Sequence, residues 1–156
     1  MTHRELCLLG AKYMKSKGIV QWNKPKYVVV EIESVGIAQP DIYGFGSSAT
    51  QQIEVKVSRS DFLSDKKKTH KILGRDVGQY RSYLCPKGLI KPTELPTNWG
   101  LLYVDENNKI EEIVKPEHNG NVHEDEIHII CSIMRRIDVK SQIFSFKKYK
   151  SDATLL

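Results

Sequence analysis

An α/β (α+β) fold, one sheet with helices packed on it, is what this chain predicts, and three observations carry the expectation. Residues 26–33 are a β-branched run, which marks a strand. Residues 51–57 alternate polar and apolar with period two, the pattern of a half-buried strand. Helical periodicity flanks them, at 2–17 and again at 123–137. Helix, three strands, helix and further strands, in that order, describe a single-sheet layout.

Taken in order, Thr2 to Lys17 reads as a helix with Leu6, Leu9, Tyr13 and Met14 on one face. Thr2 and Glu5 make a capping box, and Gly18 ends the helix. Lys26 to Glu33 is the first strand, and Gly36 to Gln39 turns the chain. Asp41 to Phe45 is the second strand, Gly46 to Ala49 turns again, and Gln51 to Ser58 is the third. Connections this short predict an antiparallel meander. Ser60 is the expected cap of a helix whose body, residues 65–71, is polar and frays before Gly74. Gln79 to Ser82 reads as a helical turn, and Tyr83 to Cys85 as a fourth strand stopped by Pro86. Residues 100–104 and 109–114 pair as a hairpin around Asp105 to Asn108. His123 to Ile137 is the last helix, with Ile127, Ile130, Met134 and Ile137 on one apolar stripe. Residues 1–140 are expected to be one domain, followed by a basic tail, 141–156.

Composition narrows the class. With 156 residues, 40% of them hydrophobic and 28% charged, the chain can bury a core and disorder is not the default. No apolar run is long enough for a membrane-spanning helix, and Thr2-His3-Arg4-Glu5 stands where a signal peptide needs an apolar core. A cytoplasmic protein is expected, with no membrane partner. Cys7, Cys85 and Cys131 form no CxxC pair, so buried thiols are expected rather than disulfides or zinc ligands. Net charge is +5, and between Lys56 and Lys91 ten Lys or Arg face three Asp, a local charge of +7. Such a concentration suits a polyanion.

That basic stretch adjoins the most specific feature of the chain. Pro40-Asp41 is followed thirteen residues later by Glu54-Val55-Lys56. On a strand, Glu54 and Lys56 share a face about 6.6 Å apart while Val55 and Val57 enter the core. Opposite charges that point together from a core strand are costly to desolvate without a partner or a task. Hydrolysis of a phosphodiester requires an in-line water and neutralisation of the phosphate oxygens, and Mg²⁺ bound by hard oxygen donors supplies both. Asp41 and Glu54 offer two such donors and the Val55 carbonyl a third, with Mn²⁺ a ready substitute. Lys56 can orient the water and offset the charge that develops. Glu31 and Glu33 share a face of the first strand, and one of them is a candidate extra ligand if it is not simply facing solvent.

These residues, after a first helix that carries Glu5, resemble the PD-(D/E)XK nuclease superfamily. The continuation Val57-Ser58-Arg59-Ser60-Asp61-Phe62 and Asp65-Lys66-Lys67-Lys68 is similar to small bacterial and phage members, including the MmcB-like group. The resemblance runs from Thr2 to about Val114. It implies a restriction-endonuclease-like fold, a central mixed sheet flanked by helices with an αβββαβ core. It implies a Mg²⁺-dependent deoxyribonuclease that leaves 5′-phosphate and 3′-hydroxyl ends, in DNA repair, recombination or mobile-element processing. Asp41 and Glu54 become metal ligands, Lys56 the catalytic lysine, and Glu5 the acid of the first helix that assists the metal site. Gln79 and Tyr83 have the spacing of the QxxxY motif of the RecB-like branch. Because Tyr83 itself reads as strand, Gln79 with Tyr80 is the pair expected near the substrate.

Arg59, Lys66, Lys67, Lys68, Lys71 and Arg75 are the expected phosphate-contacting surface, which positions a duplex without reading its sequence. DNA is the expected polymer and RNA the rival, and a homodimer would let two sites meet two strands. A second reading keeps the fold and removes the chemistry, leaving a DNA-binding module. Gly44-Phe45-Gly46-Ser47-Ser48-Ala49 fits GxGxxA, but a strand rather than a helix follows, so a hairpin turn is expected. His123 and His128 are five apart, not the four of a zincin helix. Trp22 and Trp99 are expected to anchor core or loop.

Overall fold

The computed structural model describes residues 1–33, 39–65, 67, 76–120 and 124–137. Helix α1 (His3–Lys17) starts as its sequence requires: the Thr2 hydroxyl accepts from the Glu5 N–H, and the Glu5 carboxylate accepts from the Thr2 N–H. Gly18, at φ +72°, ends it by donating its N–H to the Met14 carbonyl. Strands β1 (Tyr27–Val30), β2 (Ile42–Phe45) and β3 (Gln51–Val55) form the expected antiparallel meander. Helix α2 (Arg59–Asp65) then carries the chain toward β4 (Tyr80–Pro86), which lies parallel to β3. A 3-10 turn at Pro92–Glu94 precedes β5 (Trp99–Val104), parallel to β4, and β6 (Ile110–Val114) closes a hairpin on β5. Helix α3 (Glu124–Arg136) comes last among the described residues. The six strands stand in chain order in one mixed sheet, the α+β architecture expected.

Both faces of the central strands are covered, and every residue of β3 is buried. On one face α1 lays Leu6, Cys7 and Met14 against Ile42, Ile53, Val55, Leu84 and Leu102. The approach is close because Gly10 has no side chain: a Cβ there would stand 2.6 Å from Ile42 Cδ1 and 2.7 Å from Leu84 Cδ2. The other face holds Phe62 of α2 with Tyr83, Cys85, Ile90, Trp99 and Leu101, and a smaller group of Ile32, Tyr43, Val77 and Ile129 under α3. Among the described residues no helix is long and apolar enough to cross a membrane.

Several expectations change at this level. Ser58, not Ser60, caps α2, since its hydroxyl accepts from the Asp61 N–H and its carbonyl from Phe62. Residues 80–82 belong to β4 rather than to a helical turn. In α3 the Ile127, Met134 and Ile137 stripe faces outward, while Asp125, Glu126, Ile129 and Ser132 are buried. Hydrogen bonds explain the choice of face. Glu126 Oε1 accepts from the Gly78 N–H at 2.6 Å and the Thr50 hydroxyl at 2.8 Å, and the Ser132 hydroxyl donates to the Glu33 carbonyl at 2.7 Å. Trp22 is exposed, edge-on to Tyr80, whereas Trp99 is buried and stacks on Tyr83. Of the cysteines, Cys7 and Cys85 are buried and Cys131 is exposed. Val57 lies partly in solvent rather than in the core.

Candidate active site at the end of the third strand

Alternation along β3 sorts its side chains. Ile53 and Val55 face α1, and Gln52, Glu54 and the following Lys56 face the layer that contains α2. The ladder continues one residue past the strand, where the Lys56 N–H donates to the Leu84 carbonyl at 2.9 Å. Glu54 and Lys56 are therefore held by backbone pairing, and both are almost wholly buried, at 3% and 2% exposure. Their side chains meet as the spacing requires, with Lys56 Nζ 3.5 Å from Glu54 Oε2, and the Gln52 amide donates to Glu54 Oε1 at 2.6 Å.

Two more carboxylates reach Lys56 from α2. Asp61 and Asp65, one helical turn apart, place oxygens 3.9 and 3.1 Å from Nζ. The Tyr83 hydroxyl, from β4, donates to Asp65 Oδ2 at 3.0 Å. Burial alone would depress the Lys56 ammonium, but Glu54 and Asp65, then Asp61, outweigh it and hold its pKa above the ordinary value. Lys56 is thus a cation at neutral pH. It can donate hydrogen bonds and offset anionic charge, and it cannot act as a base.

Asp41 arrives from the start of β2. Ile42 pairs with Ile53, which brings the preceding Asp41 to the end of β3 that carries Val55. Asp41 is fixed there by accepting the Val55 N–H on Oδ2 at 2.8 Å. The Val55 carbonyl lies on that same edge of β3, because a strand residue's N–H and C=O point to the same neighbour. Asp41, Glu54, Val55 and Lys56 are accordingly brought to one end of β3, with Asp41 Oδ1 turned toward His3 of α1 and Glu54 and Lys56 on the α2 side; Asp41, Glu54 and the Val55 carbonyl carry oxygen donors of the kind magnesium takes.

Of the remaining expected residues, Glu5, Gln79 and Arg59 are engaged elsewhere. Glu5 is tied to the Thr2 N–H at its helix end, which holds its carboxyl below the ordinary value, and it lines a surface hollow with Met1, Leu8 and Lys12. Gln79 sits at the opposite end of β3, where its side-chain oxygen accepts from the Thr50 N–H at 3.1 Å. Arg59 is engaged by Glu94 through two hydrogen bonds of 2.8 and 2.7 Å and also donates to the Leu89 carbonyl. Lys67 is exposed, and Lys66, Lys68, Lys71, Arg75 and the tail lie outside the described residues.

Beside Asp41, on the α1 side, is a group the sequence reading did not assemble. His3 Nε2 is 3.4 Å from Asp41 Oδ1, and His3 Nδ1 is 3.5 Å from both Glu31 Oε1 and Cys7 Sγ. Glu31, at φ +50°, donates its N–H to the Asp41 carbonyl at 2.7 Å, and its carboxylate also pairs with Arg4. Burial, then Asp41 and Glu31, push the Cys7 thiol up to about 12. The available signal was the spacing of His3 and Cys7, four residues apart and so on one helix face; Asp61 and Asp65 repeat it on α2.

No family model and no curated protein matches the chain. Among solved structures it is similar to a protein of unknown function from Silicibacter pomeroyi, with 19% identity and a TM-score of 0.60 over 93% of this chain and 99% of that one. At that identity the likeness establishes the fold alone.

Proposed function

We propose that the chain is a magnesium-dependent nuclease of the PD-(D/E)XK type that hydrolyses phosphodiester bonds in DNA, working in the cytoplasm. One observation carries the reading: Glu54 and Lys56 lie buried side by side at the end of β3, and Asp41 is bonded to the N–H of Val55 between them. Asp41, Glu54 and the Val55 carbonyl would hold the ion, which when bound polarises the phosphate and lowers the pKa of a coordinated water. Lys56 donates to the attacking water or a phosphate oxygen, and Asp65, itself held by Tyr83, aims the ammonium. The element order α1-β1-β2-β3-α2-β4 supports the restriction-endonuclease-like topology that goes with this chemistry.

The test is cleavage of plasmid, duplex, single-stranded and RNA substrates in Mg²⁺ or Mn²⁺. Glu54→Gln and Asp41→Asn, the latter keeping an oxygen for the Val55 N–H, are expected to lower the rate at least about 100-fold, as the loss of a group that stabilises transition-state charge does. Full activity in Glu54→Gln, or a wild type that cuts none of the substrates, overturns the reading. The DNA-binding module is favoured instead by the engagement of Lys56 with α2. Salt-sensitive DNA binding without metal and without cleavage is its signature.

A further inference from the structure

We propose that His3, Cys7 and Asp41 form a binding site for one borderline-soft divalent ion of the zinc class, which shares Asp41 with the proposed magnesium ligands and differs from them in its nitrogen and sulfur donors. The Cys7 Sγ, a ring nitrogen of His3 and a carboxylate oxygen of Asp41 all lie within 4.8 Å of one another. Taking Nε2 as the ligand, it stands 4.0 Å from Sγ and 3.4 Å from Asp41 Oδ1. Ligands at zinc bond lengths of about 2.0–2.3 Å in a tetrahedron are roughly 3.3–3.7 Å apart, so shifts of about 1 Å close the site. A mixed nitrogen, sulfur and oxygen set selects zinc, cobalt or a similar ion and disfavours magnesium, which takes oxygen alone.

The surroundings suit such an ion. With Nε2 turned to the metal, Nδ1 faces Glu31 Oε1 at 3.5 Å, the carboxylate-to-histidine support that fixes ring orientation in metal sites. The thiol is fully buried, while the side chains of His3 and Asp41 are 37% and 20% exposed. The ion thus enters from the carboxylate side, and water can take the fourth position. The spacing is also set before any ion arrives. His3 and Cys7 share a face of a capped helix, and Asp41 is pinned by the Val55 N–H. On binding, the thiol proton leaves to solvent.

The experiment uses the full chain, stripped with chelator and titrated with Co²⁺ in magnesium-free buffer without nucleic acid, so its outcome is separate from that of the nuclease reading. One Co²⁺ per chain is expected, with a thiolate-to-cobalt charge-transfer band in the near ultraviolet that Zn²⁺ abolishes. Cys7→Ser and His3→Ala are each expected to remove the band and weaken Zn²⁺ binding at least about tenfold, while Cys85→Ser and Cys131→Ser keep both. A band that survives Cys7→Ser, or no cobalt spectrum in the wild type, overturns the site. If Cys7→Ser does not fold, the half-exposed His3→Ala decides: unchanged zinc affinity and spectrum refute the proposal.

Discussion

Replacing Lys56 by Met tests the electrostatics of the buried cluster directly. The methionine keeps most of the stem volume and removes the ammonium, leaving Glu54 and Asp65 in a dry site without their shared cation. At 3.5 and 3.1 Å, each attraction is about 5 kcal/mol gross at an effective dielectric near 20. Desolvation of the three groups cancels much of that in the intact cluster, and breaking a buried pair by removing one partner typically costs about 3–5 kcal/mol. For a chain of this size that lowers Tm by about 6–20 °C. The assay is thermal and urea unfolding followed by circular dichroism, repeated in the Asp65→Asn background. There the loss should be smaller, because one of the stranded charges is gone. The pH dependence has a fixed sign. A folded-state pKa held above the unfolded value of about 10.4 gives stabilisation that is complete below that pH and fades as pH climbs through the raised value. The gap between wild type and variant should thus be flat near neutrality and narrow only in strong alkali. A Lys56→Met protein that melts within about 2 °C of the wild type would show the cluster to be worth under about 1 kcal/mol and refute the argument.

Two further substitutions probe the frame around the site. Thr2→Ala removes the cap of α1 and should cost about 1 kcal/mol in chemical denaturation. Because the Glu5 carboxyl is held low by the same motif, the wild-type advantage should be full above the unfolded carboxylate range and fade as pH falls through the depressed value; an advantage that grows in acid would contradict the capping box. Gly100→Ala places a Cβ 2.5 Å from Ser82 Oγ and 2.8 Å from both Pro116 Cδ and the Val114 carbonyl, crowding β5 from both neighbours at about 1–3 kcal/mol. An unchanged urea midpoint would show that the sheet yields there freely.

Local signals carried the sequence reading where a single segment settles its own state. The Thr2–Glu5 box, the run at Tyr27–Val30 and the alternation at Gln51–Val55 each needed no partner. It failed where a distant contact decides. Tyr80, Arg81 and Ser82 are extended because β3 and β5 flank them, which nothing local announces. In α3 the isoleucine stripe reads as a buried face, but carboxylate bonds to Gly78 and Thr50 win the core for the polar side. The candidate site divides the same way. The contact of Glu54 with Lys56 was legible from the period of β3. Asp61 and Asp65 as holders of Lys56, and His3 with Cys7 beside Asp41, depend on two helices settling on opposite faces of one sheet.

The Glu126 contact bears on the order in which the molecule assembles. It reaches back 76 residues to Thr50 and 48 to Gly78, the span over which ring-closure entropy must be met before the bonds return anything. Neither donor is in place until β3 has met its parallel neighbour. The last helix therefore works as a latch that engages only a finished sheet, and its grip reports that the central strands, with the carboxylates they carry, have found their register.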